Sequence, residues 1–81
     1  MVSKKEYKGK IVRFLETPEN GLLIQTKDIC AVVELKECPT HEWLDLVEAI
    51  SIAGKNDATD FAMWLNETFA GYELETLVRP R

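Results

Sequence analysis

Apolar positions in the first third of the chain follow the short period of strands. From Tyr7 to Glu16, the β-formers Ile11, Val12, Phe14 and Leu15 crowd one segment, with imperfect alternation. Thr17-Pro18-Glu19-Asn20-Gly21 follows as a turn, because proline presets φ and Asn-Gly tolerates positive φ. Leu22 to Gln25 then forms a second short strand, and the two predict a β-hairpin.

Beyond Gln25 the period lengthens to that of helices. Thr26 is the expected N-cap of a helix from Lys27 to about Leu35, with Asp28 near the positive end of its dipole and Ile29, Val32 and Val33, with Cys30 as a further candidate, on its buried stripe. Lys36 to Pro39 breaks the pattern. Thr40 is expected to cap a second helix carrying Trp43, Leu46, Val47 and Ile50 at helical spacing, with Gly54 as its left-handed end. Asp57 opens a third helix, with Ala58, Phe61, Ala62, Leu65 and Phe69 on one face and Trp64 beside them. Gly71 is expected to stop it. Tyr72, Leu74, Thr76 and Val78 then alternate with Glu73, Glu75 and Leu77, which predicts a last strand. The expected fold is α+β: an N-terminal β-hairpin, three helices and a C-terminal strand on one small sheet.

Length changes this picture little. The 81 residues suffice for one domain, residues 1–81, with one core of modest stability. There is no signal-peptide pattern behind Met1 and no apolar run long enough to span a membrane, so the expectation is a cytoplasmic protein. Cys30 and Cys38 are then expected as reduced, partly buried thiols.

Charge is more informative. Residues 1–13 hold Lys4, Lys5, Lys8, Lys10 and Arg13 against one carboxylate, Glu6. Residues 14–81 hold five cations against thirteen carboxylates. An acidic body disfavours nonspecific nucleic-acid binding, while a basic N-terminal segment allows a local phosphate contact. The competing view makes these lysines a solvated strand face.

Candidate chemistry is sparse. His41 is the single histidine, and Cys30, Cys38 and His41 lack the spacing of zinc motifs and a fourth ligand. Asp57 with Asp60, and Asp45 with Glu48, look like a capping pair and a solvated helix face. No phosphate-binding glycine loop occurs. An enzyme, a cofactor or a small-molecule substrate is not expected. Trp43 and Trp64 are either core residues or, for one of them, an anchor for a partner.

Three stretches together carry a resemblance: Gly9-Lys10-Ile11-Val12-Arg13-Phe14; Gly21 through Cys30, where a glycine-led strand enters a helix opening Asp28-Ile29; and Leu46 to Ile50 followed by Asp57 to Leu65, with Ala58, Phe61 and Trp64 at fixed spacing. In order and spacing these resemble the BRO-type N-terminal domain (Bro-N) of phage antirepressors and viral BRO proteins. The resemblance implies a small non-enzymatic regulatory module encoded on a mobile element. Such a module would bind DNA or a DNA-bound regulator. The candidate nucleic-acid contacts are Lys4, Lys5, Lys8, Lys10, Arg13, Lys27 and Lys55, with Lys8 and Lys10 expected on one strand face. The alternative is a protein-interaction or dimerisation module with no nucleic-acid contact. Strands near both termini leave sheet edges, so a homodimer is expected in either case, by edge pairing or by helix packing.

Overall fold

The computed structural model describes residues 2–19 and 21–78, with side chains described as far as residue 70. The N-terminal segment is not one strand but two. Strand β1 (Ser3–Tyr7) pairs antiparallel with β2 (Lys10–Thr17), Tyr7 opposite Lys10 and Ser3 opposite Phe14. Between them Lys8 and Gly9 take φ of 48° and 83°. Two consecutive positive φ values make the primed two-residue turn whose twist matches that of the flanking strands. Lys8 therefore sits in the turn and does not share a strand face with Lys10.

The predicted hairpin forms between β2 and β3 (Gly21–Gln25), with Leu15 opposite Leu23 and Thr17 opposite Gly21. Gly21 takes φ of 68°, where a side chain would be strained. A further strand, β4 (Trp43–Asp45), pairs with β3, so the sheet order is β1-β2-β3-β4, antiparallel throughout.

Helix α1 (Thr26–Val33) leaves β3 directly. Its cap is Gln25 rather than Thr26, and the cap side chain makes no hydrogen bond. Thr26 instead lies inside the first turn, where its N–H donates to the Glu42 carbonyl at 3.0 Å and ties the start of α1 to the approach to β4. The helix ends at Glu34, φ 57°.

Helix α2 (Leu46–Lys55) begins later than the expected cap at Thr40. Asp45 is the true cap, its Oδ1 accepting from the Glu48 N–H at 2.8 Å. An Asp followed three positions on by Glu satisfies an otherwise unpaired helix-end N–H. This later start frees Trp43 and Leu44 to pair with β3, and it rotates the buried stripe to Leu46, Ala49 and Ala53. Val47, expected on that stripe, is 72% exposed. Gly54 lies within the helix, whose cap is Asn56. Asp57, φ 59°, stands in the left-handed turn before the next helix.

Helix α3 (Thr59–Val78) overturns the expected C-terminal strand, for it runs through Gly71 without stopping. One glycine in a helix interior costs only about 1 kcal/mol relative to alanine, and glutamate and leucine beyond it are good helix formers. Once nucleated, a helix gains a hydrogen bond for each residue added. Among the described residues the architecture is thus α+β with three helices and a four-stranded antiparallel sheet, all of whose strands lie before residue 46.

The helices cover one face of the sheet. Val12, Phe14, Leu22 and Ile24 from the strands meet Ile29, Leu46, Ala49, Ala53, Phe61, Leu65 and Phe69 in one cluster. Ala49 and Ala53 are fully buried, and their small size lets α2 approach closely. Tyr7 closes one end of the core, its ring 4.9 Å from Phe61 and 5.1 Å from Trp64. Trp64 stacks on Phe61 and meets Phe69 edge-on, so it belongs to the core margin.

The expectation of reduced thiols also fails. Cys30 and Cys38 are joined by a disulfide, with Cα atoms 6.0 Å apart. It ties the connection between α1 and β4 back onto the helix. Among the described residues, no helix is long and apolar enough to cross a membrane.

Candidate functional site

Side chains alternate across a strand, so the register sorts the sheet into two faces. Val12, Phe14, Ile24 and Leu44 mark the covered face. Lys4, Glu6, Ile11, Arg13, Leu15, Leu23, Gln25, Trp43 and Asp45 lie on the other. None of these nine residues is fully buried: Leu15, Leu23, Gln25 and Trp43 are half-buried, and Ile11 is 38% exposed.

One row of this open face crosses all four strands. Lys4 lies opposite Arg13, and Gln25 lies opposite Trp43. Arg13 stands one step beyond the Phe14–Ile24 pair, level with Gln25. Four strands at their usual separation make this row about 14 Å wide. It presents an ammonium, a guanidinium, an amide and an indole in sequence. The neighbouring row is apolar, Leu15 and Leu23, and ends at Asp45.

The guanidinium is anchored. Arg13 Nη1 donates to Asp28 Oδ1 at 2.9 Å, and the Arg13 backbone N–H donates to Asp28 Oδ2 at 2.8 Å. The Arg13 side chain stays half exposed and Asp28 is 11% exposed, so the pair is solvated on the arginine side only. Lys10 Nζ donates to the Ala31 carbonyl at 3.4 Å, which holds the same hairpin to α1 a second time.

The seven cations expected to contact nucleic acid are thus only partly assembled. Lys4, Lys5, Lys8, Lys10 and Arg13 share the β1–β2 hairpin, but on different sides. Lys4 and Arg13 face the open side, Lys5 and Lys10 the covered side, and Lys8 the tip, its Nζ 5.4 Å from the centre of the Tyr7 ring. Lys27 is exposed on the first turn of α1, and Lys55 is exposed at the end of α2. Neither belongs to the hairpin.

Beside the hairpin tip lies an open cleft of about 320 Å³, lined by Tyr7, Lys8, Val32 and the start of α3 from Asp57 to Phe61. It places Lys8 near Asp57 and Asp60, so its charge is mixed and it does not favour an anion. Among the described residues, no group of three or more His, Cys, Asp or Glu side chains is placed to hold a metal.

The alternating pattern did not reveal Trp43 as a sheet residue or Asp28 as the partner of Arg13. A signal for the first exists: the Asp45-x-x-Glu48 spacing starts the helix after Asp45 and leaves Trp43 outside it. The Arg13–Asp28 contact joins residues 15 positions apart and has no local signature. Comparisons of the chain with protein-family models, with curated proteins and with solved structures found no match.

Proposed function

We propose that this chain is a small non-enzymatic regulatory module that binds nucleic acid, DNA in the first instance, through the basic hairpin and the open face of its sheet. The observation that carries the reading is the row Lys4, Arg13, Gln25 and Trp43 on a face with no fully buried residue. Cations of this kind take phosphates, an amide can bond base edges, and an indole offers a surface on which a base stacks. The resemblance to the BRO-type N-terminal domain supports the same reading, with a mobile-element origin. The acidic charge after residue 13 limits the affinity to what the hairpin supplies.

The test is fluorescence anisotropy with labelled duplex and single-stranded DNA at about 50 mM salt, where phosphate contacts are strong. Binding should weaken steeply as salt rises. Lys8→Glu with Lys10→Glu, which reverses hairpin charge outside the row, should weaken it less than loss of the row's own cations does. Arg13→Gln, which keeps the backbone bond to Asp28, should weaken binding of both forms. Trp43→Ala should weaken single-strand binding more than duplex binding. No binding of either form at low salt overturns the reading.

A second reading has its own support. Ile11, Leu15 and Leu23 lie on the same face as Trp43, and an apolar centre with an aromatic anchor and a polar rim is how protein interfaces are built. An interaction module would use that face for a protein partner and ignore nucleic acid at any salt.

A further inference from the structure

Among the described residues the sheet ends at β1, whose outer edge pairs with no further strand. Ser3, Lys4, Lys5 and Glu6 are all exposed, and among the described residues β2 is the one strand paired with them. The outward-pointing backbone groups can be identified. The Arg13 N–H donates to Asp28, on the β3 side of β2, and so is not used by β1. Lys4–Arg13 is therefore one of the non-hydrogen-bonded pairs that alternate along an antiparallel ladder. The N–H and C=O of Lys4 point away from β2, and by the two-residue period so do those of Glu6.

We infer that this edge is built to pair with the same edge of a second copy, making one continuous eight-stranded sheet across a two-fold axis at Lys5. The side-chain charges choose the register. With Lys5 opposite Lys5 of the second copy, Lys4 meets Glu6 twice, once on each side of the axis. Both pairs are the hydrogen-bonded ones, and both place opposite charges on the open face. Sliding the strands one way sets Lys4 against Lys4. Sliding them the other way sets Glu6 against Glu6 and Lys4 against Lys8. Opposite charges directly across an antiparallel pair stabilise it, and like charges destabilise it. The chosen register has two favourable pairs and one like-charge contact, Lys5 with itself; the charge contacts of the two alternatives are all between like charges. A five-residue edge is a small interface, so the dimer is weak and forms in the micromolar range or above. The pairing is isologous and closed: it consumes the β1 edge and does not propagate into fibres.

Charge exchange tests this register without touching the core. The unaltered chain should be a dimer by sedimentation equilibrium at high micromolar concentration. Lys4→Glu and Glu6→Lys, each alone, turn both attractive pairs repulsive and should weaken dimerisation about tenfold or more. An equal mixture of the two single variants should dimerise again, as heterodimers. Positions 4 and 6 are both acidic in one variant and both basic in the other, so each carboxylate then faces an ammonium. The double variant should dimerise with itself. Circular dichroism and thermal unfolding at low concentration check that each variant folds. A monomeric unaltered chain at high micromolar concentration overturns the inference. So do single variants that dimerise as the unaltered chain does, or a mixture that stays monomeric. Lys4 also belongs to the proposed DNA row, but sedimentation is measured without nucleic acid, so dimerisation is read independently of the DNA measurement.

Discussion

Arg13 and Asp28 are held together twice, the carboxylate of Asp28 accepting from the backbone N–H of Arg13 at 2.8 Å and from its guanidinium at 2.9 Å. The strand β2 is longer than its partner β3, which turns into α1 at Thr26. Beyond the Phe14–Ile24 pair, the next backbone donor on β2 has no strand to receive it. Asp28, in the first turn of α1, fills that place. One carboxylate thus ends the ladder, fixes the helix against the hairpin and sets the orientation of the guanidinium on the open face.

Truncation of the two partners should therefore have unequal effects. Asp28→Ala leaves the Arg13 N–H without its acceptor and should cost about 1–3 kcal/mol. Arg13→Ala keeps the backbone bond and loses only a half-exposed ion pair, so it should cost under about 1 kcal/mol. Urea unfolding of both variants measures the difference. Equal costs would mean that the ion pair, not the backbone bond, holds α1 to β2.

Phe61 is fully buried against Tyr7 and Trp64. Phe61→Ala should cost about 3–5 kcal/mol, the usual range for removing a buried aromatic. That is a large share of what a domain of this size has, so the variant should be partly unfolded at room temperature. Near-ultraviolet circular dichroism, which reads the packed aromatics, should collapse before the far-ultraviolet signal. A loss under about 1 kcal/mol would place this face of α3 away from the sheet.

The Cys30–Cys38 disulfide closes a loop of sequence separation 8. Chain entropy assigns a loop of that size about 2–3 kcal/mol. Dithiothreitol, which reduces the bond to two thiols while itself becoming a cyclic disulfide, should lower stability by that amount. Cys38→Ser should match the reduced chain, since Cys38 lies in the exposed connection and its loss leaves no core cavity. Hydrogen exchange should report the loss first at Thr26 and at β4, whose link through Glu42 the loop carries. Exchange unchanged at those amides would show that the loop holds its place without the bond.

Much of the framework was legible without coordinates. The β2–β3 hairpin could be read because Pro18 and Gly21 punctuate two apolar runs, and the core face of α3 could be read because Phe61, Leu65 and Phe69 recur at helical spacing. The first strand was hidden for an opposite reason. An edge strand faces water on both sides, so Ser3-Lys4-Lys5-Glu6 carries no apolar alternation, and Lys8-Gly9 is a weaker turn signal than Asn-Gly. The last strand was a false reading of Tyr72, Leu74, Thr76 and Val78. Alternation over a few residues is compatible with either period, and a neighbouring helix extends through it. The candidate site was the least legible part. Its cations are conspicuous in the sequence, but which of them share a face depends on where the first turn falls.

The sequence by itself determined the hydrophobic set, the second hairpin turn, the existence of three helices and the separation of a basic N-terminal segment from an acidic remainder. These follow from local chemistry: turn residues, helical spacing and the count of charges. Only the tertiary structure decided that Asp28 would receive the Arg13 N–H, that Trp43 would leave the helix to line an open sheet, that Cys30 and Cys38 would be bonded, and that Lys4 and Glu6 would stand on a bare edge. Each of these joins or exposes groups through the pairing of separate segments. No window of neighbouring residues contains that pairing, because it is settled by which strand lies beside which and by where each ladder ends.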